Sequence, residues 1–172
     1  MRVAAWTRTR IGAMPIIELA TLIAAPIDRV FDLARSIDLH ASAASGTGEC
    51  AVGGVTSGLI GPGDEVVWRA RHFGIWQSLT ARITEFEWPV HFADVMLRGA
   101  FRRMEHHHHF DAVPEGTVMR DVFSFQSPLG VLGRIADRLF LSRYMRSFLI
   151  VRNRVIKATA ESDEWKRYLV NG

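Results

Sequence analysis

The chain has 172 residues, 48% of them hydrophobic and 23% charged. That is the length of one domain with a sizeable core, and the composition excludes a disordered or fibrous chain. The 21 Lys and Arg against 18 Asp and Glu leave a charge of +3, too slight to indicate nucleic-acid binding without a focused patch. The single cysteine, Cys50, excludes a disulfide framework and any multi-cysteine metal site.

Residues 1–13 carry Arg2, Arg8 and Arg10 and no acid. The apolar stretch that follows is broken by Pro15 and Glu18, so it lacks the core of a signal peptide. The segment reads as a disordered arm, or as sequence ahead of a start at Met14; a basic arm touching a membrane is the sharper alternative. With no export signal and a lone cysteine, the cytoplasm is the expected location. No apolar run approaches the roughly 18 residues of a membrane span. Residues 14–162 are expected to form one domain and 163–172 a tail.

Ile16 to Ala25 reads as a strand stopped by Pro26. Pro26 suits the first turn of a helix, in which Ile27, Val30, Phe31 and Ala34 recur at helical spacing and Asp28 sits near the positive end of the dipole. A second short helix is expected near Ile37 to Ala44. Gly46 to Gly63 holds seven of the 14 glycines and reads as loop or bent strand. Its Gly46-Thr47-Gly48-Glu49-Cys50-Ala51 fits a dinucleotide fingerprint only formally, since no strand and helix frame it.

From Asp64 the period changes to two. Strands are expected over Glu65 to Phe73, Trp76 to Glu87, Val90 to Leu97, Phe101 to Val113 and Thr117 to Phe125, with turns at Gly74-Ile75, Trp88-Pro89, Gly99-Ala100 and Pro114 to Gly116. Consecutive hairpins make an antiparallel meander. After Pro128 the pattern turns helical, running to about Glu161, with an apolar stripe through Leu132, Ile135, Ala136, Leu139, Phe140, Phe148, Val151 and Val155 and a kink near Ser142 to Tyr144. The order predicts an α+β fold: a curved antiparallel sheet wrapped around a long C-terminal helix, with a cavity between them.

His106 to His109 is an internal run in mid-strand. Side chains alternate along a strand. Arg103, Glu105, His107, His109 and Asp111 are mostly charged and are placed in solvent, which turns Met104, His106, His108 and Phe110 inward. The expected registers set Ala93 opposite His106, His91 opposite His108, Asp121 opposite His108, Phe123 opposite His106, His72 opposite Gln77 and Ala70 opposite Leu79; a slip of one residue reverses a face. The cavity wall then carries Trp68, His72, Gln77, Met104, His106, His108, Phe110, Met119, Asp121 and Phe123. Tyr144 joins this set; lining of the cavity mouth by Arg143 and Tyr144 at the kink is an alternative to a solvated or docking role for the basic helix. Three readings stay open: a satisfied polar cluster, ligand recognition or acid–base work by His106 or His108 oriented by Asp121, and a metal held by His106 and His108. The exposed pair His107 and His109 is set aside as a column-binding feature, and no cofactor is expected.

The element order and several strings resemble the START-like superfamily with the helix-grip fold, which includes the polyketide cyclase/dehydrase and lipid-transport group. The resemblance spans about Ile16 to Glu161. It rests on Ala25-Pro26 with Val30-Phe31, Trp88-Pro89 with Phe92, and Pro128 ahead of the long helix. An uncharacterised bacterial cyclase/dehydrase-like subgroup is matched by Asp38-Leu39-His40, Thr47-Gly48-Glu49, Trp68 to Gly74, His106-x-His108-x-Phe110, Met119-x-Asp121 and Ser127 to Gly130. The resemblance implies a hydrophobic cavity for a lipid, polyketide or other apolar ligand, and it does not imply catalysis.

Between Pro128 and Lys157 the basic residues Arg134, Arg138, Arg143, Arg146, Arg152, Arg154 and Lys157 face one acid, Asp137. They read as the solvated side of a core helix, with docking to an anionic membrane or acidic partner as the alternative. Three functions are carried forward: a binder of an apolar small molecule, an enzyme of cyclase, dehydratase or hydrolase type using the His–Asp pair, and a docking module using the basic helix. The ligand and the oligomeric state are not written in the sequence.

Overall fold

Ile16–Ile23 forms strand β1, burying Ile17 and Ile23 among alternating outward residues. The computed structural model describes residues 15–128 and 140–170. The expected arm at 1–13 and the residues Leu132, Arg134, Ile135, Ala136, Asp137, Arg138 and Leu139 lie outside the described residues. Pro26, with its φ of −59°, stands at the N-cap of helix α1 (Ile27–Ala34), which turns Val30, Phe31, Leu33 and Ala34 inward. Helix α2 (Ile37–Ala43) starts at Ser36, whose hydroxyl accepts the Leu39 N–H at 3.3 Å and satisfies one of the amides a helix start leaves free.

Six further strands follow: β2 (Cys50–Gly54), β3 (Glu65–His72), β4 (Ile75–Glu87), β5 (His91–Arg98), β6 (Arg103–Val113) and β7 (Gly116–Gln126). They form one antiparallel sheet in the order β1-β7-β6-β5-β4-β3-β2. The first strand therefore pairs with the last, and α1 and α2 carry the chain from one edge of the sheet to the other. Helix α3 (Ser142–Ala160) packs on β1, α1 and α2. The core lies between the helices and the inner face. Its centre is Phe31, fully buried, with its ring 5.3 Å from Phe92 and 5.1 Å from Phe110; burying such a ring contributes about 1.5–3 kcal/mol.

The β6–β7 register agrees with expectation, with His108 opposite Asp121 and His106 opposite Phe123. Two registers differ. The β3–β4 turn is Phe73-Gly74, with φ of 52° and 79°, rather than Gly74-Ile75, so His72 faces Ile75 and Ala70 faces Gln77. A ring residue with positive φ is uncommon, and here Phe73 lies against Tyr144 at 4.8 Å and Phe140 at 5.4 Å. The two-residue shift leaves every β3 face as expected. The β5–β6 register is shifted by one, so Asp94, not Ala93, faces His106, and His91 faces His109. Asp94 turns inward and His91 outward.

The inward face of α3 also differs from the apolar stripe. Leu149, Arg152, Asn153, Ile156, Thr159 and Ala160 are buried, while Phe140 and Val151 are exposed. The expected tail holds helix α4 (Trp165–Leu169), with the Arg29 guanidinium 4.3 Å above the Trp165 ring; this cation–π contact ties the segment to α1.

Gly116 opens β7 with φ of +134°, and a Cβ there would lie 2.2 Å from the Ile23 carbonyl oxygen. Gly116→Ala is expected to lower stability by more than about 1 kcal/mol, because both conformation and space oppose a side chain. A urea midpoint equal to that of the parent chain would contradict this.

Candidate functional site

The sheet's curvature and α3 enclose a cavity of about 290 Å³. Strand alternation supplies one wall: Val66, Trp68 and Ala70 from β3, Leu79, Ala81 and Ile83 from β4, and Met104 and Phe123 from β6 and β7. Met145, Phe148 and Leu149 of α3 supply the facing wall. Tyr144 hydrogen bonds His72, with its oxygen 2.6 Å from Nδ1, and Phe73 sits beside them. Burial pushes the Tyr144 phenol's pKa up, with Glu49 adding to the effect, so its O–H stays available as a donor.

The floor is polar. His106 and His108, two residues apart on β6, point inward with ring centroids 3.9 Å apart. Behind them lies Asp121, with no exposed surface. Its Oδ1 is 3.0 Å from His106 Nε2 and 2.9 Å from His108 Nδ1, and accepts from Arg152 Nη1 at 3.4 Å. Its Oδ2 accepts from Asn153 Nδ2 at 2.6 Å. An isolated buried carboxylate would take up a proton. Burial alone would raise the Asp121 pKa, but the hydrogen bonds from His106 and His108, aided by Arg152, hold it well below the usual carboxylate range. Asp94 approaches His108 from the other side, 3.5 Å from Nε2. Burial opposes its charge, and its hydrogen bond to His108 brings its pKa below the ordinary value.

His106 behaves in the opposite sense. Burial, then the neighbouring His108, lowers its pKa to about 4 despite the Asp121 hydrogen bond. Near neutral pH it is an uncharged imidazole with its proton on Nε2, and its Nδ1 is left as an acceptor. Phe92 stacks on His108 at 4.3 Å and Phe123 meets His106 edge-on at 5.2 Å, which fixes both rings.

Of the residues expected to line the cavity, Trp68, His72, Gln77, Met104, His106, His108, Phe123 and Tyr144 do so. Phe110, Met119 and Asp121 do not. Phe110 and Met119 belong to the packed core beside Phe31, and Asp121 lies one layer behind the histidines. Arg143 is exposed rather than at the wall.

Among the wall residues that were not expected are His40, Glu49, Asp94 and Arg152. His40 stacks on Trp68 at 4.3 Å and lies 3.5 Å from Glu49 Oε1. Glu49 Oε2 is buried and has no hydrogen-bond partner. The strings Asp38-Leu39-His40 and Thr47-Gly48-Glu49 contain both residues without giving them a role. Arg152 is not one of the solvated basic residues; it is buried against Asp121 and the Ala34 carbonyl. Arg146 and Lys157 bond the β1 carbonyls of Glu18 and Leu22, which leaves Arg143 and Arg154 as the exposed charges of α3 with no ion pair among the described residues. No helix among the described residues is long and apolar enough to cross a membrane.

No protein-family model and no curated protein matches the chain. Solved structures do match. The protein TTHA0849 from Thermus thermophilus superposes with a TM-score of 0.66 at 17% identity, covering 85% of this chain and 99% of that one. The ginseng major latex-like protein 151 from Panax ginseng gives 0.65 at 16% identity, covering 88% and 100%. The di-domain ARO/CYC StfQ from the steffimycin biosynthetic pathway gives 0.67 at 15% identity, covering 85% of this chain and 50% of that one. At these identities the likeness is one of fold: the chain has the helix-grip fold of START-like proteins, as expected.

Proposed function

We propose that this START-like, helix-grip chain binds a hydrophobic small molecule that carries one polar group, with the apolar body between sheet and α3 and the polar group on the histidine floor. The observation behind this reading is the cavity itself: about 290 Å³ of space with apolar walls and a few convergent polar groups. That is close to the lower end of ordinary small-molecule sites and has their usual composition. His106 Nδ1 accepts, the Arg152 guanidinium donates, and the free Glu49 oxygen accepts near the Trp68 wall. A lipid or polyketide with a hydroxyl or carbonyl meets those demands, and the fold's likeness to an ARO/CYC protein is in keeping with the second class.

The test is a fluorescent naphthalene sulfonate probe with the parent chain and with Ala70→Trp. Ala70 is buried on the wall, and an indole there fills the space. Probe affinity is expected to fall at least about tenfold, the equivalent of about 1.4 kcal/mol, while circular dichroism stays unchanged. Equal binding by both chains would remove the cavity as the site.

A second reading, catalysis of cyclase or dehydratase type, is supported by the His106–Asp121 hydrogen bond, which fixes the tautomer as a general base requires. Basicity weighs against it. A catalytic base works best with a pKa near the working pH, and His106 sits at about 4. Binding is therefore the preferred reading. A peripheral contact with an anionic membrane has weaker support, because Arg152 is turned inward and Arg146 and Lys157 bond the backbone of β1.

A further inference from the structure

The outer face of the sheet, away from the cavity, carries a second histidine cluster. Alternation along β6 puts His107 and His109 there, and the β5–β6 register sets His91 directly opposite His109. The three are partly or fully exposed. One ligand atom from each lies within 4.8 Å of the others. His91 Nε2 and His107 Nδ1 are 3.3 Å apart. Two nitrogens each about 2.0–2.1 Å from one tetrahedral zinc ion stand about 3.3 Å apart, so this spacing is that of a shared metal.

The outward ring nitrogens of the same two histidines each meet a carboxylate. His107 Nε2 is 3.0 Å from Glu105 Oε1, and His91 Nδ1 is 3.8 Å from Glu85 Oε2. A carboxylate can only accept, so Glu105 holds the His107 proton on Nε2 and leaves His107 Nδ1 as an acceptor. His91 Nε2 donates to that nitrogen at 3.3 Å. A metal ion would take the place of the one proton between the two rings. Carboxylate, imidazole and metal in line is also how metal-binding histidines are generally oriented.

We infer that His91, His107 and His109 form a site for a divalent transition-metal cation of the zinc type on the outer face of the sheet, with Glu105 and Glu85 as positioning residues. Three imidazoles suit zinc, copper or nickel rather than magnesium or calcium. Three protein ligands leave the fourth position to water on the solvent side.

A second group, Asp94, His106 and His108, also has its ligand atoms within 4.8 Å of one another. Asp121 likewise stands behind His106 Nε2 and His108 Nδ1, but here the Arg152 guanidinium is 3.4 Å from His108. A fixed positive charge there repels a cation. In the outer cluster carboxylates stand behind two of the rings, and Arg120, opposite His109, is paired with Asp111.

The experiment uses the full chain without an affinity tag, purified without a metal column, stripped with a chelator and titrated with zinc chloride, with cobalt(II) as a spectroscopic substitute. The expected result is one zinc per chain, retained through desalting, and the visible absorption of tetrahedral cobalt. His91→Ala and His109→Ala each lose the retained zinc, and Glu105→Gln, which keeps all three ligands, weakens binding about 10–100-fold. Asp94→Asn leaves the zinc stoichiometry at one. Circular dichroism and a melting curve in the chelated state establish that each variant is folded, which exposure of these side chains favours. Zinc lost on desalting overturns the inference, as does uptake that survives both histidine substitutions or disappears with Asp94→Asn.

Discussion

Asp121→Ala is expected to destabilise the chain by about 3–5 kcal/mol, the range for breaking a buried charge network by removing one partner. The carboxylate is the common acceptor for His106, His108, Arg152 and Asn153. Its loss strands the Arg152 charge in a site where that side chain is 5% exposed. Against a typical total of about 5–15 kcal/mol, such a change is a fifth of the stability or more. The measurement is urea unfolding at neutral pH. A second variant separates the network from simple packing. Asp121→Leu combined with Arg152→Met removes both charges and keeps the volume, and such replacements are often neutral or stabilising. The double variant is therefore expected to recover most of the loss. A single substitution costing under about 1 kcal/mol, the range of exposed ion pairs, would mean that water reaches Asp121.

Lowering the pH from 7 toward 4 is expected to remove roughly 3 kcal/mol through His106. Its pKa falls from 6.5 in the unfolded chain to about 4 in the fold, and each unit of difference is worth about 1.36 kcal/mol. The sign follows from proton uptake. Between pH 6.5 and 4 the unfolded chain carries a proton on His106 that the native chain does not, so stability rises with pH across that window and falls on acidification. Asp121 acts in the same direction at lower pH. Its native pKa is held well below 3.8, so its contribution is present above that value and lost beneath it. Unfolding midpoints measured in steps of pH test the slope. His106→Gln, whose amide can still donate to Asp121, is expected to flatten the upper window without abolishing the lower one. An unchanged slope in that variant would assign the acid sensitivity elsewhere.

The order of elements was legible because the period of the apolar residues changes twice, from helical to alternating near Asp64 and back after Pro128. The inward direction of His106 and His108 was legible because the alternate positions Arg103, Glu105 and Asp111 are charged. Asp94 was not. In β5, apolar residues occupy both alternating sets, with Phe92 and Ala93 buried side by side, so the pattern does not choose a face. A turn placed two residues long at Gly99-Ala100 was then enough to move the register by one. Arg152 was hidden by a sound general rule, that arginines on a helix face water. The exception depends on a carboxylate that only the folded sheet delivers. Glu49 comes from a glycine-rich stretch with no period to read. Phe110 and Met119 show the converse limit, since inward residues near a cavity divide into wall and foundation, and alternation cannot tell one from the other.

The polar floor also acts on the long helix as an index mark. Helices held by apolar side chains alone can settle in positions one turn apart, because one greasy residue replaces another. Sliding α3 by a turn would bring Phe148 or Ile156 to the place of Arg152, against the Asp121 carboxylate, and would leave the guanidinium among hydrocarbon. Both halves of that exchange are costly. The Arg152 and Asn153 contacts therefore set where Tyr144, two turns away, meets His72, and with it the height of the roof above the sheet.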